Sequence, residues 1–79
     1  MHIQLYTYPT CRFCEAARDL LLEHGIAFQE QSLKGDRELG VRLRELFGRV
    51  AMPYVLVDGE PLGGLEELER AVVDWERDG

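Results

Sequence analysis

Seventy-nine residues, 46% of them apolar and including three phenylalanines and one tryptophan, suffice for one modest hydrophobic core, so a single domain over residues 1–79 is expected. Fifteen acidic against nine basic residues give a formal charge of −6, which repels a phosphate backbone and argues against nucleic acid as a partner. No apolar run approaches the ~20 residues that span a bilayer, HIQLYTY at the start lacks the marks of a signal peptide, and two cysteines are too few for a secreted disulfide scaffold, so a soluble cytoplasmic chain without membrane contact is expected.

Ile3 to Thr7 is short, apolar and aromatic, and closed by Pro9, which predicts a buried strand. Thr10 follows as a candidate helix cap, and Cys14, Ala17 and Leu21 then share one helical stripe, joined by Ala16 and Leu20, until Gly25. Ile26 to Leu33 reads as a second strand, and strand–helix–strand implies a right-handed crossover with parallel pairing. After the turn Lys34-Gly35-Asp36, Leu39, Leu43, Leu46 and Phe47 recur at helical spacing as far as Gly48. Tyr54 to Val57 is a dense strand signal, Asp58-Gly59 a two-residue hairpin turn, and Glu60 to Leu62 a returning strand that Pro61 confines to an edge. Beyond Gly63-Gly64, the positions Leu65, Leu68, Val72 and Trp75 restore the helical period, with Glu66, Glu67 and Glu69 near the positive end and a frayed tail over Glu76–Gly79. The sum is βαβ, a helix, then ββα: an α/β fold with a four-stranded mixed sheet flanked by helices.

Cys11-Arg12-Phe13-Cys14 concentrates the chemistry, because two cysteines three apart at a helix start bring their sulfurs within bonding reach. Free backbone N–H groups, the helix dipole and the Arg12 guanidinium all favour a thiolate at Cys11, and only a thiolate attacks a disulfide. Cys11 precedes the first turn and is the expected nucleophile; Cys14 lies on the inward stripe and is expected to be buried. Zinc would need two further ligands, for which only His2 and His24 are available, so no metal is expected. Met52-Pro53, directly before a strand, is a candidate cis peptide bond that would leave the Met52 backbone free to pair with an extended peptide. Gly63-Gly64-Leu65-Glu66 permits close backbone approach ahead of a helix whose first amides can hold a carboxylate.

These features, in this order from Ile3 to the last helix, resemble the glutaredoxin family, a branch of the thioredoxin fold. The resemblance implies a cis bond at Pro53 and glutathione as cosubstrate. It places the cysteinyl part of glutathione on the Met52 backbone, the γ-glutamyl end on the Leu65 amide and Glu66, and the glycyl carboxylate on Arg49. It also implies the activity: Cys11 attacks protein–glutathione mixed disulfides, Cys14 resolves protein disulfides, and the partners of a monomer are glutathione and glutathionylated or disulfide-containing proteins. The chain departs from the family at Arg12, where proline is usual, at Phe13 and Tyr8, where tyrosine and lysine are usual, and at Ala51, where threonine is usual. Two alternatives stand beside it: a hydrogen donor fed by thioredoxin reductase, and an iron–sulfur cluster carrier that pairs two chains through their first cysteines and glutathione.

Overall fold

Alternation decides the first element: Ile3, Leu5 and Thr7 point inward and are buried, while Gln4 and Tyr6 are half-buried, giving strand β1 (Ile3–Thr7). The computed structural model describes residues 1–78 and continues with helix α1 (Arg12–Glu23), strand β2 (Gln29–Ser32), helix α2 (Arg37–Phe47), strands β3 (Tyr54–Val57) and β4 (Glu60–Gly63), and helix α3 (Leu65–Asp78). The sheet runs β2-β1-β3-β4; β1 and β2 are parallel, as the helical crossover requires, and the other two pairs are antiparallel. This is the thioredoxin-like arrangement expected from the sequence.

Each face of the sheet has its own core. Ile3, Leu5 and Val55 pack with Ala17 and Leu21 of α1 and Leu68 and Val72 of α3. On the opposite face Tyr54 and Leu56 meet Leu33, Ala51 and Leu43 of α2, with Phe47 edge-on to Tyr54 at a centroid distance of 4.9 Å. Asp58 and Gly59 both adopt left-handed backbone conformations, at φ 52° and 82°, which suit the tight turn between β3 and β4.

Two boundaries differ from expectation, those of β2 and α3. The strand expected over Ile26–Leu33 is confined to Gln29–Ser32, because the Ile26 N–H bonds the Leu21 carbonyl at 2.9 Å and belongs to the closing turn of α1. Helix α2 begins at Arg37, directly after the expected turn, with the Asp36 carboxylate accepting the Leu39 N–H at 3.1 Å as an N-cap. Helix α3 continues past Glu76 to Asp78: Trp75 packs on the core and Glu76 pairs with His24 at the end of α1. Of the tail expected to fray, Gly79 lies outside the described residues.

Candidate active site

The chain leaves β1, turns through Tyr8–Thr10 and enters α1 at the cysteines. The cap is Cys11 itself, not Thr10: its backbone is extended (φ −102°, ψ 113°) and its Sγ accepts the Cys14 N–H at 3.2 Å. A sulfur thus stands in the place of a capping oxygen and receives an amide proton at the positive end of a 12-residue helix. The Cys11 N–H in turn bonds the Tyr8 carbonyl at 3.3 Å, fixing the approach to the helix.

Cys11 is half-buried and Cys14 fully buried, and the two are unbridged. Burial, and then a hydrogen bond with Cys11, push the Cys14 thiol up to about 12, so at neutral pH it holds its proton. The two sulfurs thus differ in exposure and in surroundings. Arg12 is exposed beside Cys11 and forms no ion pair among the described residues.

The Met52-Pro53 peptide bond is cis, with Pro53 buried and Met52 half-buried. Among the described residues, the Met52 backbone enters no hydrogen bond of the turns and loops. A groove of about 630 Å³ beside the cysteine motif brings Met52 together with Phe13, Arg49, Leu65 and Glu66; of the positions expected to hold glutathione, Pro53 alone does not line it. Gly64 closes its back wall, since a Cβ there would sit 3.5 Å from the Pro53 carbonyl oxygen.

Arg49 and Glu66 differ from expectation in what surrounds them. The Arg49 guanidinium donates to Glu67 Oε1 at 3.1 Å, and Glu66 makes a surface pair with Arg70 one helical turn on. The sequence places Glu67 near the start of the last helix, but its capping role went unrecognised. Its carboxylate also accepts the Gly64 N–H at 2.7 Å, a reciprocal cap that holds it below the usual carboxylate range, and the Gly-x-x-Glu spacing before an apolar stripe was the signal for it. Equally unsignalled is the bidentate pairing of Arg18 with Glu30 at 2.7 and 2.6 Å, to which Thr7 adds a hydroxyl at 2.9 Å; it ties α1 to β1 and the edge strand β2.

Comparison with known proteins agrees with this architecture. Residues 3–62 match the family model described as Glutaredoxin. The chain is 37% identical over 68 residues to the hybrid peroxiredoxin hyPrx5 of Haemophilus influenzae, covering 86% of itself but only 28% of that protein. To glutaredoxin 3 of Escherichia coli K12 it is 30% identical over 67 residues, covering 85% of itself and 81% of the relative. The solution structure of glutaredoxin from Brucella melitensis superposes with a TM-score of 0.81 at 27% identity, over 99% of this chain and 85% of that one.

Proposed function

The chain belongs to the glutaredoxin family of thiol–disulfide oxidoreductases, and from that premise we propose that glutathione is the thiol with which it works. The observation that carries the proposal is the Cys11 sulfur, capped by the Cys14 N–H at 3.2 Å and set beside a groove that joins Met52, Leu65 and Glu66.

The Cys11 thiolate attacks the glutathione sulfur of a protein–glutathione mixed disulfide. A Cys11–glutathione bond forms, the old bond breaks, and the protein cysteine leaves as a thiolate that takes a proton from solvent. A second glutathione thiolate then attacks that sulfur, releasing oxidised glutathione and restoring Cys11. For a protein disulfide, Cys14 resolves the first intermediate: it attacks Cys11, its proton passes to the departing thiolate, and glutathione reduces the resulting Cys11–Cys14 bond. Cys14 is dispensable for the first route and required for the second.

Glutathione lies across Met52, whose backbone and cis-proline neighbour Pro53 hold its cysteinyl part, with the γ-glutamyl end at the Leu65 amide and Glu66. Arg49 lines this same arm of the site and is engaged with Glu67, so the glycyl carboxylate points to the other side of Met52, where Lys34 and Arg37 stand without an ion-pair partner among the described residues. Arg12 adds charge beside the thiolate. Oxidised proteins of the cytoplasm are the substrates. The 37% identity to a hybrid peroxiredoxin favours a second reading in which the protein disulfide delivered to Cys11 is that of a peroxiredoxin.

NADPH-coupled reduction of a glutathionylated protein, with glutathione and glutathione reductase, tests the proposal. Activity is expected for the wild type and Cys14→Ser and none for Cys11→Ser, while Cys14→Ser should fail on a protein disulfide. Turnover sustained by thioredoxin reductase but not by glutathione would leave the cysteines and remove the glutathione site.

A further inference from the structure

The second groove, about 480 Å³, lies on the far side of Met52 and runs along α2. Its cations are Lys34, Arg37 and Arg44, and no carboxylate lines it, although the chain as a whole carries −6. None of the three has an ion-pair partner among the described residues, whereas Arg18, Arg42, Arg49 and Arg70 are each paired. Between the cations lies apolar surface: Val41 and Val50, 48% and 66% exposed, with Met52 and Tyr8. Gly40 keeps the floor low, leaving the Tyr8 hydroxyl 3.9 Å from where a Cβ would be.

The groove is more than the glutathione reading uses. Arg37 and Arg44 are seven residues apart on one helix face, so their Cα atoms are separated by about 10 Å along the axis. A single glycyl carboxylate at the Lys34–Arg37 end offsets one of the three charges and leaves the groove cationic. Neutralising it takes at least two anionic groups, with apolar contacts between them. The groove also adjoins the reacting sulfur, because Tyr8 both lines it and holds the Cys11 N–H.

We propose that the Arg44 end of the α2 groove, beyond the Lys34–Arg37 end given to the glycyl carboxylate, is the docking surface for the protein half of the substrate, and that it selects cysteines flanked by an acidic polypeptide segment, with Arg44 as the specificity-determining contact. The proposal rests on the oxidoreductase reading but not on glutathione as the recycling thiol. Opposite charge across the groove steers encounter and lowers KM; it adds nothing to the sulfur chemistry.

The test is single-turnover reduction by pre-reduced protein of three glutathionylated peptides that differ only beside the cysteine, carrying two Glu, two Gln or two Lys, one on each side, with the freed peptide thiol followed by chromatography. The acidic peptide should react about tenfold faster than the Gln peptide at subsaturating concentration, and the Lys peptide more slowly than either. The preference, taken as the ratio of the acidic to the Gln rate, should fall to twofold or less in Arg44→Glu and in 0.5 M salt and recover in Arg44→Lys. Arg44→Gln, with no reversed charge at the end of α2, serves if Arg44→Glu is unstable. Equal rates for the three peptides, or a preference that survives loss of Arg44, would overturn the proposal. So would an Arg44→Glu protein whose only defect is a raised KM for glutathione. If the same preference appears with disulfide-linked peptide dimers while glutathionylated peptides are inert, the glutathione reading falls and the docking surface stands.

Discussion

Cys14 shows how a buried thiol couples redox chemistry to stability. Its folded value sits near 12 against an ordinary 9.0, through burial and the hydrogen bond with Cys11, so folding favours the protonated form. That contribution is complete below about pH 9 and is lost as pH climbs toward 12. Reduced wild-type protein should therefore lose stability across this window more steeply than Cys14→Ala, measured by urea unfolding at pH 8, 10 and 11. Parallel declines in the two proteins would show that Cys14 is not the titrating group. The same burial makes Cys14 a poor competitor for external disulfides while leaving it adjacent to Cys11.

At the scale of elements, the joint between β4 and α3 is tightly constrained. Gly63 has φ +139°, and a Cβ there would come within 2.6 Å of the Glu67 side chain that caps Gly64. Gly63→Ala thus strains the backbone and displaces the cap, for an expected loss of about 2–3 kcal/mol. Glu67→Ala, which removes only the cap, should cost about 1 kcal/mol. Thermal melts of the two variants separate the effects, and equal shifts would mean that the backbone at Gly63 carries no strain. Elements whose cause is local were legible: Tyr54–Val57 with Asp58-Gly59, the stripe Cys14–Ala17–Leu21, and the cysteine pair at a helix start. Strand β2 was misjudged because its residues, Gln-Glu-Gln-Ser, are exposed and carry no apolar alternation, while the apolar Ile26 and Phe28 before it serve the core as a loop. The surroundings of Arg49 were illegible for another reason: its partner Glu67 is 18 residues away, and only the fold brings them together.

The whole molecule is small enough that either core face matters to its survival, since a domain of this size has little stability in reserve. The two faces are unequal. Seven buried residues meet beneath α1 and α3, and five beneath α2. Leu68→Ala, at a fully buried position of the larger cluster, should cost about 4 kcal/mol, and Leu43→Ala, 5% exposed in the smaller one, about 2 kcal/mol. Denaturant unfolding of both variants checks the order, and a larger loss at Leu43 would reverse it. The weaker face is the one along which α2 and its basic groove lie.

Val50 and Met52 line both grooves, one from each side of a short connection between α2 and β3. A single substitution in that connection is therefore pleiotropic: it reshapes two recognition surfaces at once. Anyone redesigning the protein to alter one preference alone has to work from the outer walls, Leu65, Glu66 and Glu69 on one side and Val41 and Arg44 on the other, each of which lines one of the two grooves and not the other.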